Sequence, residues 1–128
     1  MFSWREGQFF YRHVRVALIR SDFLNDLCNA LPNPYETGKK LGEKAKRTYK
    51  AVWNIDPTGV NRRRDYYNSI AKAFGWGVLH EEPPNRLFVD SPCINNESFL
   101  RGQLEGILSV KLHLIHQASD QFVFEIES

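Results

Sequence analysis

The sequence is poor in cysteine and methionine, with Cys28, Cys93 and one methionine in 128 residues. Two cysteines so far apart supply neither a disulfide framework nor a zinc-finger spacing. A reduced, cytoplasmic setting is therefore the expectation. No run approaches the ~20 apolar residues that a membrane-spanning helix needs, so no transmembrane segment is expected. The opening MFSWREGQFF lacks a basic segment followed by an apolar one, which is the pattern of a secretory signal. Repeats, linker-like composition and low-complexity tracts are missing too. Catalytic signatures are equally scarce. His13, His80, His113 and His116 have no nucleophile close by in sequence, and no paired-carboxylate motif is present. A non-enzymatic domain is the expectation.

What is present suits one globular domain over residues 1–128, long enough to bury about two-thirds of its unfolded surface. Aromatic residues make up 13% of the chain, enough for a large core or an apolar pocket. The formal net charge of +2 hides a split. Lys39, Lys40, Lys44, Lys46, Arg47, Lys50, Arg62, Arg63, Arg64 and Lys72 are opposed only by Glu43, Asp56 and Asp65, whereas residues 81–128 are mainly acidic. Such a field steers acidic partners, nucleic acid or a peripheral membrane surface, toward region 39–72. The competing and favoured reading is a solvated helix face balanced by the acidic end of the same or a second subunit.

Taken in order, residues 9–20 alternate as a strand, with Val14, Val16 and Leu18 on one side. Ser21 or Asp22 caps a short helix to about Ala30. A longer helix runs from Pro34 to about Trp53, with Tyr35, Leu41, Ala45, Tyr49 and Val52 as its apolar stripe. Gly38 and Gly42 lie four apart on it. They are not a phosphate loop, which needs a Gly-rich turn after a strand and a Lys-Ser/Thr pair. A third helix spans about 60–74, with Arg62, Arg63 and Arg64 in its first turn; reaching to acidic partners is favoured over an anion site there. Segments 76–80 and 86–90 pattern as strands. A helix over 97–109, capped by Asn95 or Asn96, carries Gly102 and Gly106, again four apart. Each interior glycine costs about 1 kcal/mol relative to Ala. The two notches are thus expected to mark close helix packing, within the subunit or across a dimer. A hairpin follows, with its turn at 117–120. The segregated order predicts an α+β domain with an antiparallel sheet of about four to five strands against about four helices.

Several local patterns resemble the 4-vinyl reductase domain superfamily, which includes sensor domains of bacterial phenol- and toluene-responsive activators and shares its fold with TRAPP vesicle-tethering subunits. The resemblance lies in VALIRSDFL at 16–24, YETGKKLG at 35–42, FGWG at 74–77, FVDSP at 88–92, Phe99 with RGQLEG at 101–106, and FEI at 124–126. It covers nearly the whole chain in order, and each piece alone is short. It implies a TRAPP-like fold. Sensor relatives hold small apolar or aromatic molecules between sheet and helices. Here Trp53, Tyr66, Tyr67, Phe74, Trp76, Phe88 and Phe99 are the candidate lining, with core filling as their competing role. Zinc-bearing relatives place a cysteine where this chain has Glu97, a Glu-x-x-Cys where it has His113 and His116, and a last cysteine where it has Phe122 or a neighbour. Those first three offer the O and N ligands of an open zinc site. Capping by Glu97 and surface placement of the histidines is the favoured reading, so no cofactor is expected, with zinc as the alternative. The resemblance implies a sensor or regulatory domain binding a small apolar ligand. Its alternative is a dimerising scaffold subunit, paired with itself or a paralogous subunit, and weak nucleic-acid binding through 39–72 comes last.

Overall fold

The computed structural model describes residues 2–127; Ser128, at the end of the expected hairpin segment, lies outside them. The fold is α+β. Its strands number more than expected, forming antiparallel sheets of three and four strands.

The three-stranded sheet is a meander of β1 (Phe2–Arg5), β2 (Gln8–Tyr11) and β3 (Val14–Val16). It replaces the single strand expected over 9–20. The break is a two-residue turn at Arg12 and His13, with φ of +46° and +76°. Positive φ at both positions gives the turn twist that two-residue hairpins favour. Neither residue is the usual Asn or Gly, so the alternating pattern runs through the turn unmarked. Pairing stops at Val16, so Leu18, expected on the same side of the strand as Val14 and Val16, lies beyond it and is 79% exposed.

The helices follow their local signals. α1 (Ser21–Asn29) starts after Arg20, which caps without a side-chain bond, in place of the expected Ser21 or Asp22. α2 (Pro34–Ala51) has Pro34 in its first turn, and the Asn33 side chain accepts from the Glu36 N–H. α3 (Val60–Tyr66) passes directly into a π-helical turn, Tyr67–Ala71, which buries Tyr67, Ile70 and Ala71. α4 (Glu97–Leu108) is capped by Asn96, which accepts from the Phe99 N–H, and ends at Ser109 in the left-handed conformation.

The second sheet has the order β4-β5-β7-β6, from β4 (Val78–Glu82), β5 (Arg86–Asp90), β6 (Lys111–Ala118) and β7 (Gln121–Glu127). The β6–β7 register shifts between Leu114 and His116, leaving Ile115 as a bulge. Leu87, Val89, Leu112, Phe122, Phe124 and Ile126 join α4 and the π-helical turn in the core.

The two glycine notches face each other within the chain. A Cβ on Gly38 would run into the Phe99 carbonyl oxygen, and one on Gly42 into that of Gln103. On the other side, a Cβ on Gly102 would meet the Tyr35 carbonyl and one on Gly106 that of Lys39. Partners advance together along both helices, so α2 and α4 run parallel with backbones in contact. This arrangement moves α2's packing face away from its expected stripe. Of that stripe only Tyr49 is fully buried, and Leu41 and Val52 stay about half exposed.

Candidate functional site

The meander lies over the C-terminal ends of α2 and the π-helical segment through an aromatic cluster. Tyr11 meets Trp53 edge-on at 4.8 Å between ring centroids and Phe74 at 5.1 Å. Tyr49 stacks on Trp53 at 5.4 Å. Phe2 closes on both Tyr11 and Phe74. The Trp53 indole N–H donates to the Arg12 carbonyl at 3.4 Å, tying the β2–β3 turn to the end of α2. Such edge-to-face contacts hold rings in fixed relative positions.

Beside this cluster opens a cleft of about 650 Å³, within the range of small-molecule sites. One wall is Leu41, Ala45, Thr48 and Tyr49 of α2; another is Val16 with the extended segment 17–19. Leu24 of α1, Cys93 and the run Ala73-Phe74-Gly75-Trp76 complete it. The lining is mostly aliphatic and aromatic. Burial pushes the Tyr49 phenol up to about 12, so it stays neutral at ordinary pH. Burial likewise raises the Cys28 and Cys93 thiols, away from the reactive thiolate form.

Of the seven aromatic residues put forward from the sequence, Trp53, Phe74 and Trp76 line this cleft. The other four sit elsewhere. Tyr66 and Phe99 are buried in the core. Tyr67 is buried too, and its hydroxyl donates to Glu81 at 2.6 Å. Phe88 lies on the other face of β5 from Leu87 and Val89, stacked on His80 at 4.9 Å. Sequence reasoning passed over Tyr49, Leu41 and Leu24 as cleft residues, although their spacing on α2 and α1 marks apolar faces.

The structure does not bring the three candidate metal ligands together. Glu97 pairs with Arg101 one turn later at 3.1 Å, and His113 pairs with Glu127 at 3.0 Å. His116 is exposed beyond the β6 bulge. No group of three or more potential ligands occurs among the described residues.

Two buried charged groups stand outside the cleft. Arg63 is 7% exposed and grips Glu81 with two hydrogen bonds of 2.6 and 2.9 Å. It thus spends its charge internally, and the basic stretch 39–72 loses it as a contact for external anions. Burial raises the Glu81 carboxyl, but the Arg63 and Tyr67 hydrogen bonds and the Arg63 and Arg64 charges outweigh that and hold it below the usual range. Glu105 is 3% exposed on the notch side of α4. It accepts from the Tyr35 hydroxyl of α2 and, at 2.9 Å, from the Leu112 N–H of β6. A carboxylate between Leu104 and Gly106 was its only sequence signal.

A second, larger cleft of about 850 Å³ is lined by Lys39, Lys46, Arg63 and Lys111 with Glu43, Glu81, Glu105 and Glu127. Its charges balance, and several are already paired within the chain, so it offers no single recognition chemistry. Among the described residues, no helix is long and apolar enough to cross a membrane. Comparison with protein-family models, curated proteins and solved structures finds no match for this chain.

Proposed function

We propose that this chain is a non-enzymatic sensor or regulatory module that binds a small apolar ligand in the cleft between α2, α1 and the meander. The observation that carries this reading is the cleft itself, apolar, ligand-sized and floored by aromatic rings fixed against one another. The resemblance to sensor domains of the 4-vinyl reductase superfamily supports the same assignment. Ligand entry removes apolar surface from water at about 25 cal/mol per Å². It also touches four separate elements, so occupancy is able to bias how the meander sits on the helices.

The test uses the cleft's own reporters. Trp53 and Trp76 line it, so naphthalene titrated into the protein should change tryptophan emission saturably. Ala45→Phe fills the cleft and should abolish the change while the far-ultraviolet circular dichroism stays native. Emission that never saturates, or that saturates alike in both proteins, would overturn the assignment.

A second reading is favoured by a different observation. Leu18 and Ile19 of the cleft wall are 79% and 51% exposed, and next to them Phe23 and Leu27 of α1 are 55% and 59% exposed. A TRAPP-like scaffold would cover this face with a second copy. Light scattering would then give a dimer mass that falls to the monomer in Leu27→Asp; a monomer mass for the unaltered chain ends that reading.

A further inference from the structure

The cleft has one charged lining residue among the described residues, Lys44. It lies on α2 between Leu41 and Thr48, which also line the cleft, and it is exposed at the rim. No carboxylate pairs with it among the described residues, and what sets it apart from the other lysines is its place in the cleft lining. The Thr48 hydroxyl turns back to donate to the Lys44 carbonyl at 3.3 Å, so it competes weakly for any ligand group at that point.

We infer that the ligand is an apolar carboxylic acid, bound as its anion, with the carboxylate on Lys44 Nζ and the hydrocarbon body over Trp53, Phe74 and Trp76. The inference rests on the apolar-ligand reading above and names the polar end of that ligand. Charge complementarity decides among the amphiphile classes. A cationic head would meet Lys44 and no acidic side chain. A neutral head would meet the lining hydroxyls, the Cys93 thiol and the Trp76 indole N–H without drawing on the lysine's charge. An anionic head satisfies the lysine, whose flexible stem keeps the charge in water while its methylenes lie along apolar surface. Charge-assisted hydrogen bonds of this kind are shorter and stronger than neutral ones.

The experiment measures affinities by isothermal titration calorimetry for two matched pairs of probes: decanoate with decanol, and naphthalene carboxylate with naphthalene carboxamide. Proteins are the unaltered chain, Lys44→Met, Lys44→Arg, and Lys50→Met as a same-helix change outside the cleft lining. A rim-exposed ion pair predicts that Lys44→Met weakens the acids about fivefold. The uncharged partners should hold within about twofold, the size of a surface effect. Lys44→Arg should restore the acids, and Lys50→Met should change nothing. If acids and uncharged probes bind alike, and Lys44→Met affects them alike, the carboxylate inference is overturned while the apolar-ligand reading stands. If neither member of either pair binds the unaltered chain, both are overturned.

Discussion

Replacing Gly102 with alanine sets two physical effects of opposite sign against each other. In an unconstrained helix interior the change is stabilising by about 1 kcal/mol, because alanine loses less backbone entropy. Here the added Cβ would overlap the Tyr35 carbonyl oxygen, and would lie 3.0 Å from the Lys39 nitrogen and 3.1 Å from the Tyr35 carbonyl carbon. All three are backbone atoms of α2, so no side chain swings aside to relieve the contact. Relief requires α2 and α4 to part, which opens the other three notch contacts and loosens the Tyr35–Glu105 bond. Overpacking costs about 1–3 kcal/mol, and an unyielding backbone places this case at the upper end. The net expectation is a loss of about 2 kcal/mol. With about 2.1 cal/mol/K of unfolding entropy per residue, that lowers Tm by about 7 °C for a chain of this length. Thermal unfolding followed by circular dichroism, with urea melts as a second measure, reads the difference. An unchanged or raised Tm would refute the claim that these helices touch through their backbones. Gly106→Leu should go further and prevent folding, visible as the loss of any cooperative transition.

Arg63→Met should cost about 2–4 kcal/mol, because it leaves Glu81 partly buried without its partner, and a second change, Glu81→Leu, should recover much of that in urea melts. Glu81 is held below the usual carboxylate range, so its contribution is present above the unfolded value of about 4.3 and lost as pH falls through the lower folded value. The unaltered protein should therefore lose Tm on the acid side, and Arg63→Met should lose less there; equal acid slopes would contradict this. Glu105→Ala strands the Tyr35 hydroxyl and the Leu112 N–H and should cost about 2–3 kcal/mol, while Tyr35→Phe should cost about 1 kcal/mol. The Tyr35 phenol is pushed up to about 12, first by its hydrogen bond to Glu105 and then by burial. Its contribution is complete below the unfolded value of 10 and declines as pH rises toward 12, so Tyr35→Phe should flatten the alkaline limb of the stability profile. An alkaline limb of the same slope in Tyr35→Phe would show that this phenol is not the group concerned.

The helix and hairpin over 97–127 were legible because three signals coincide there: an Asn cap, helical spacing, and alternation on both sides of a turn. The close approach at Gly38, Gly42, Gly102 and Gly106 was legible because interior glycine has a cost that only a close neighbour explains. The N-terminal meander was not, because Arg12 and His13 adopt turn conformations that neither residue advertises. The apolar stripe on α2 misled for a related reason. Leu41 faces the cleft, because the glycine face had already claimed the contact with α4. Among the aromatic residues, Trp53, Phe74 and Trp76 sit at helix ends, where rings reach across to another element. Tyr66, Tyr67 and Phe99 lie within helical turns and go to the core. Phe88 could have been set aside from the alternation of β5, since Leu87 and Val89 already claimed its buried face. Lys44 carried no signal, because in the sequence it is one lysine among many and only the fold leaves it alone on an apolar rim.

The central claim is that the cleft holds a small apolar molecule, and native mass spectrometry of the full chain with decanoate tests it most directly. The account predicts one decanoate retained per chain by the unaltered protein and none by Ala45→Phe. Retention of the same number by both proteins, or of several with no saturation, would contradict it.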